Sequence, residues 1–161
     1  MSRLSLPRLE ATKPGEGAEA GTLLVLGGRA PDPEWLRFAA SGRTVWAVDR
    51  GAEACRAAGV VPELALGDFD SLDAGGRAWL EELGVGTEAY PPDKDYTDFQ
   101  LALRRAGAGR GLLVTGCWGG RFDHAFANVF SILWGREWDA EVHAFADEAE
   151  ALFPLSGEKG E

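Results

Sequence analysis

The chain has 161 residues, 45% of them apolar and 26% charged, with a formal net charge of -10 and a pI near 4.7. That length supports one domain with a substantial core and excludes a second full one. The acidic balance excludes a non-specific nucleic-acid or anionic-membrane partner, since either needs a basic face, and no apolar run approaches the roughly 20 residues of a membrane span.

The N-terminus lacks a signal-peptide core, so a cytoplasmic protein is expected. Residues 1–21 carry Pro7, Pro14, Gly15, Gly17 and scattered charges without a period, which predicts a disordered arm. Residues 22–26 read as a buried strand that ends in Gly27, Gly28 and Arg29. Asp32, Pro33 and Glu34 then supply an N-cap, a first-turn proline and a first-turn acid for a helix to about Ala40. A second strand over 44–48 leads into Asp49-Arg50-Gly51-Ala52, and a helix over 52–58 is closed by Gly59. Cys55 and Cys117 have no CxxC partner and read as reduced, structural thiols.

The strand at 64–66 opens into three carboxylates within six positions: Asp68, Asp70 and Asp73. In extended backbone Asp68 and Asp70, two residues apart, face one way. Their mutual repulsion calls for a hard cation such as Mg²⁺ at the carboxyl end of the strand. Asp73 reads as the N-cap of a helix over 74–83. A calcium loop fits poorly, because the sixth-position glycine and twelfth-position glutamate are missing. An aspartyl-phosphate enzyme with Asp68 as nucleophile stays open, as does a plain acidic surface turn.

After a short strand at 87–90 comes Asp93-Lys94-Asp95-Tyr96-Thr97-Asp98. Thr97 and Gln100 make a capping box, Tyr96 and Leu101 a hydrophobic staple, and Phe99, Ala102, Leu103 and Ala106 the buried face of the helix. Asp98 falls in the first turn, where free N–H groups and the dipole favour an anion; a surface acid complementing that dipole is an equally open reading. Lys94, Asp95 and Asp98 crowd the same mouth.

A buried strand over 111–115 opens into Gly116-Cys117-Trp118-Gly119-Gly120-Arg121-Phe122-Asp123-His124. A glycine-rich turn with an arginine before a helix is a sensible anion cradle, although neither a P-loop nor a G-x-G-x-x-G fingerprint is present. The following helix has an apolar face of Phe126, Val129, Phe130 and Leu133 and a polar one of His124, Asn128 and Ser131. With Asp123 adjacent and Asn128 facing it, His124 reads as a site residue. Residues 141–146 form the last strand, with His143 inside the sheet. Residues 151–155 are an extended stub that could pair with another chain, and 156–161 a frayed tail. Strands alternating with helices predict a mostly parallel sheet covered on both faces.

Together, Gly67-Asp68-Phe69-Asp70-Ser71, Asp93 to Asp98, and Gly119-Gly120-Arg121-Phe122-Asp123-His124 with Asn128 resemble the catalytic domain of thiamine pyrophosphokinases in order and spacing. Asp49-Arg50-Gly51-Ala52 is similar to that family's D-G-G-A element, with Arg50 in place of its first glycine. The resemblance implies a Rossmann-like, three-layer α/β/α domain over 22–155, without the all-β domain that ordinarily follows in the family. It implies diphosphate transfer from ATP to the hydroxyl of thiamine, with AMP released; the exposed stub at 151–155 makes a homodimer the expected assembly. By similarity, Asp68, Asp70 and Asp98 would hold Mg²⁺, and Lys94, Arg121, Gly119 and Gly120 would contact phosphate. Asp49, Gly51, Thr97, Asp123, His124 and Asn128 would complete the substrate site, and Asp95 or a metal ligand would accept the hydroxyl proton. Archaeal pterin diphosphokinases resemble the same core, so another hydroxymethyl acceptor stays open, as does a nucleotide-binding module without catalysis.

Overall fold

The computed structural model describes residues 2–6, 9–13, 21–70, 72–91, 93 and 95–154. Strands β1 (Ser2–Leu6) and β2 (Leu9–Lys13) precede an alternating run. This comprises β3 (Thr22–Val25), α1 (Pro33–Ala40), β4 (Thr44–Val48), α2 (Gly51–Ala58), β5 (Leu64–Gly67), α3 (Ala74–Glu82) and β6 (Gly86–Ala89). It continues through α4 (Asp98–Ala106), β7 (Gly111–Thr115), α5 (Phe122–Glu137), β8 (Glu141–Ala146) and β9 (Ala151–Leu152).

Local chemistry sets most helix ends. Asp32 accepts from the Glu34 and Trp35 N–H groups with Pro33 at the first helical position, and Asp73 accepts from Gly76 N. At α4 both halves of the Thr97/Gln100 capping box are made. Each cap satisfies donors that the first turn would otherwise leave open, worth about 1 kcal/mol per helix. Gly59 ends α2 with φ 67, where a side chain would be strained.

The main sheet has the order β6-β5-β4-β3-β7-β8-β9. Its pairs are parallel except the last, where β9 runs antiparallel to β8. One face buries Leu23, Val25, Val45, Ala47 and Ala65 under residues of α1, α2 and α3. The other buries Leu24, Trp46, Val48, Leu66 and Val114 under Phe99, Ala102, Leu103 and Ala106 of α4. This alternation along each strand is what a sheet covered on both sides requires, and it makes the expected three-layer α/β/α architecture. His143 sits where the β7/β8 register slips, between Leu112 and Leu113, and is buried beside Glu141 at 3.4 Å.

Two regions differ from the sequence-based expectation. The N-terminal segment expected to be a disordered arm contains an antiparallel hairpin, β1 with β2, and Leu6 joins the core beneath α1 and α2. The expected frayed tail, 156–161, lies outside the described residues, as does Leu155 of the stub; Ala151 and Leu152 pair with the chain's own β8.

The other difference is the orientation of α5. An apolar helix face normally marks the buried side, yet Phe122, Phe126, Phe130 and Leu133 are 81%, 55%, 50% and 55% exposed. The side turned inward carries Ser131 and Gly135, both buried. Ser131 accepts from Gln100 Nε2 at 3.2 Å and donates to Ala127 O, and Gly135 lies over Leu103 and Ala140. Small residues let α5 approach α4 and β8 closely, so its bulk is left outside.

Candidate active site

Strand order reverses between β3 and β7, because the chain builds β4, β5 and β6 to one side and β8 to the other. In open α/β sheets that switch point, at the carboxyl ends of the strands, is where ligands bind. Here the two loops leaving it are zipped together by bonds from Leu26 N to Thr115 O and from Gly28 N to Gly116 O, both 2.8 Å. Glycine is required for the approach: a Cβ on Gly116 would lie 2.3 Å from Leu26 O, and one on Gly28 2.5 Å from Gly116 O.

On the same edge, β4 and β5 lie side by side and deliver Asp49, Asp68 and Asp70. Ligand oxygens of these three carboxylates all lie within 4.8 Å of one another. Three local features bring them together. Asp49 has φ 50, a left-handed conformation uncommon outside glycine, and its N–H continues the ladder to Leu66 O at 2.8 Å. Gly67, at φ 146, passes so close that a Cβ would lie 3.1 Å from Asp49 Cα. Phe69, with φ 57, turns the chain between the two aspartates, and Asp68 accepts from Asp70 N at 3.1 Å. The expected convergence of Asp68 and Asp70 therefore comes from a turn rather than from extended backbone. Arg77 secures this turn through a bond from its Nη2 to Phe69 O.

The carboxylates that the structure groups are not the three expected to share an ion. Asp49, read from the sequence as a substrate-site residue, joins Asp68 and Asp70, while Asp98 stands outside their group among the described residues. Asp98 opens α4, which follows β6, so it is on the carboxyl edge of the sheet with them. The donor set fits Mg²⁺: an octahedral shell with oxygens about 2.1 Å from the ion spaces them about 3 to 4 Å apart, within reach of these carboxylates by side-chain rotation. Three hard anionic oxygens on two adjacent loops also suit that ion chemically.

The other expected residues are distributed around this edge. Asp95 is exposed and Thr97 is the N-cap of α4, its hydroxyl accepting from Gln100 N at 3.2 Å. Lys94 lies outside the described residues. Gly51 is explained by packing, since a Cβ there would come within 1.8 Å of Val25 O. Arg50 is exposed and 3.8 Å from Glu53.

Gly119 and Gly120 are both left-handed, at φ 73 and 68, and form the turn that starts α5. Arg121 donates to Asp123 through Nε and Nη2 at 3.1 and 2.5 Å. That contact holds the Asp123 carboxyl below the usual carboxylate range and raises the Arg121 guanidinium. Asn128 donates to Cys117 O at 3.4 Å, fastening α5 to the turn, and His124 is exposed. Burial pushes the Cys55 and Cys117 thiols up to about 12, which leaves both inert, as structural thiols should be.

Sequence reasoning missed the brace beside the glycine turn. Arg29 Nη2 bonds Asp147 at 2.5 Å and Glu150 at 2.9 Å, and Arg29 Cβ would lie 2.9 Å from a Cβ on Gly119. Burial opposes charge on Asp147. The bonds from Arg29 and from the Ala149 and Glu150 N–H groups outweigh it and hold the carboxyl below its usual range. Two partners 118 residues apart leave no local pattern to read.

The family described as "Thiamin pyrophosphokinase, catalytic domain" matches residues 36–144. Thiamine pyrophosphokinase of Bacillus subtilis (strain 168) is 36% identical over 89 residues, 53% of this chain and 42% of the relative. The crystal structure of a thiamin pyrophosphokinase family protein from Enterococcus faecalis superposes with a TM-score of 0.63 at 27% identity, covering 81% of this chain and 62% of that one. Thiamin pyrophosphokinase from Geobacillus thermodenitrificans gives 0.62 at 32% identity, over 78% and 59%. The chain thus spans less than two thirds of the length of these relatives. It belongs to the thiamin pyrophosphokinase catalytic-domain family.

Proposed function

We propose that this chain is the catalytic domain of an ATP- and Mg²⁺-dependent diphosphokinase that converts thiamine to thiamine diphosphate and releases AMP. The observation that carries the reading is the meeting of Asp49, Asp68 and Asp70 beside the switch point, in a chain of this family. Asp49, Asp68 and Asp70 would hold the ion, with Asp98 facing the bound triphosphate from the start of α4. The ion would offset charge on the phosphoryl oxygens as the transfer proceeds.

The remaining work falls to the chain's own groups. The Gly119-Gly120 turn and the free N–H groups at the start of α5 offer donors to phosphate oxygens. Arg121 would exchange Asp123 for a phosphate oxygen when nucleotide binds, and Lys94 would add a second cation. Asp95, exposed at the mouth, accepts the proton of the attacking hydroxyl. Thr97, His124 and Asn128 shape the rim, Gly51 seats α2 against β3, and the protein acts as a homodimer in the cytoplasm. No described helix is long and apolar enough to cross a membrane.

The test is incubation with Mg-ATP and thiamine, with a hydroxymethylpterin in parallel. AMP formed stoichiometrically with thiamine diphosphate is the expected result. AMP only with the pterin changes the acceptor, and ADP or free phosphate in place of AMP overturns the reaction class.

A further inference from the structure

The turn that carries Asp68 and Asp70 is held in a conformation its own residues resist. Phe69, between them, has φ 57, a left-handed backbone that a bulky L residue rarely adopts. Asp49, Asp68 and Asp70 bring three carboxylates together with oxygens within 4.8 Å of one another, and like charges push such a cluster apart until a cation arrives. The bonds made inside the turn are long: Asp70 N donates to Asp68 at 3.1 Å and Leu72 N to Phe69 O at 3.3 Å.

Arg77 supplies a hold from outside the loop. It lies in the first turn of α3, where its backbone N–H donates to Asp73 O at 3.1 Å; the helix is capped by Asp73 and anchored by buried Leu80. From that base Nη2 donates to Phe69 O, and Nε donates to Leu72 O at 3.3 Å. Leu72 is buried against Gly76, where a Cβ would lie 2.8 Å from Leu72 Cδ1, and the Phe69 ring packs on the same core cluster. One guanidinium therefore ties two carbonyls of the acidic loop to a rigid helix. Arginine's planar fork offers two N–H groups for this, whereas a lysine ammonium is a single compact donor centre.

We propose that Arg77 is a positioning residue for the divalent ion, holding the Asp68–Asp70 turn in its ion-binding shape before the ion arrives. The inference rests on the reading that Asp49, Asp68 and Asp70 hold that ion. Coulomb's law alone gives Arg77 the opposite effect, because a guanidinium bonded to this loop repels a second cation. The sign of the change on removing it therefore separates the two roles. A turn closed only about a tenth of the time lowers apparent affinity about tenfold, which is within the range seen when partners of metal ligands are removed.

Calorimetric titration of the full chain with Mn²⁺, without nucleotide, reads that sign. Arg77→Gln is expected to weaken Mn²⁺ binding about 10-fold or more. Arg77→Lys keeps the charge but loses the fork, and should weaken binding in the same direction by less. Arg56→Gln removes a cation from the same helix start, where Arg56 lies 3.5 Å from Asp73, and should leave Mn²⁺ affinity unchanged or slightly tighter. Amide exchange without metal should quicken over residues 68–72 in Arg77→Gln but not in Arg56→Gln. Both arginines are exposed, so the urea midpoint should stay close to wild type in each variant. A lowered midpoint with unchanged Mn²⁺ affinity makes Arg77 merely structural and overturns the proposal, as does tighter binding by Arg77→Gln or loop exchange indifferent to it. Wild type that takes up no Mn²⁺ overturns the ion reading itself and this inference with it. Binding lost in Asp68→Asn but kept in Arg77→Gln overturns only the role of Arg77.

Discussion

Asp49 shows how a single residue's backbone can decide a site. At φ 50 it lies where an L residue is strained, and the neighbouring strand end holds it there through Leu66 O and the bare face of Gly67. Replacing Gly67 by alanine puts a side chain at φ 146, within 3.1 Å of Asp49 Cα. It should cost about 1–3 kcal/mol in urea unfolding and displace the carboxylate. Asp68→Asn removes one charged oxygen and leaves the backbone turn free to form. It should weaken Mn²⁺ binding on the order of 100-fold by calorimetry while the unfolding midpoint without metal stays the same or rises, because a like-charge repulsion has gone. Asp147 predicts a pH dependence. Its folded carboxyl is held below the ordinary value of about 3.9, so its contribution is present above that value and lost as pH falls through the folded one. Asp147→Asn should therefore flatten the fall of stability below about pH 4, measured by denaturant titration at a series of pH values.

At the scale of elements, α4 and α5 make a contrast. The start of α4 is written in four consecutive letters, Thr97 to Gln100, and both capping bonds form as expected. Thr97→Ala should lower stability by about 1 kcal/mol with an unchanged m-value, and loosen the loop that carries Asp95. The start of α5 was equally legible, but which side faces in was not. The apolar period identifies a face that wants to be covered, without saying by what. Ser131 and Gly135 pack inward because α4 and β8 are too close for rings, a fact about neighbours and not about α5.

For the whole molecule, the sheet order matters more than any one loop. Asp49 and Asp68 are 19 positions apart by their numbers, and they meet because β4 and β5 are adjacent. The same order sets the Gly119-Gly120 turn across the switch point from them. If the carboxylates share an ion, folding and metal binding are linked. Mg²⁺ or Mn²⁺ at 100 times its dissociation constant should stabilise the protein by about 2.7 kcal/mol, raising the melting temperature by roughly 5–10 °C. Asp49→Asn should abolish that increment in differential scanning calorimetry, whereas Asp98→Asn, at a position outside the three-carboxylate group, should reduce it less.

The sequence by itself determined whatever depends on neighbours within a turn or a strand. It set the caps at Asp32, Asp73 and Thr97, the glycine exits, the alternation that makes a two-sided parallel sheet, and the motifs that mark the family. Asp68, Asp70 and the Gly119-Gly120 turn belong here too, because each lies within one short loop. Tertiary structure decided the rest: Asp49 rather than Asp98 as the third carboxylate, the Arg29–Asp147 brace, and the exposed aromatic side of α5. Each depends on which strands and helices become neighbours. That choice is made by the summed packing of the whole core, and no local window of residues contains it.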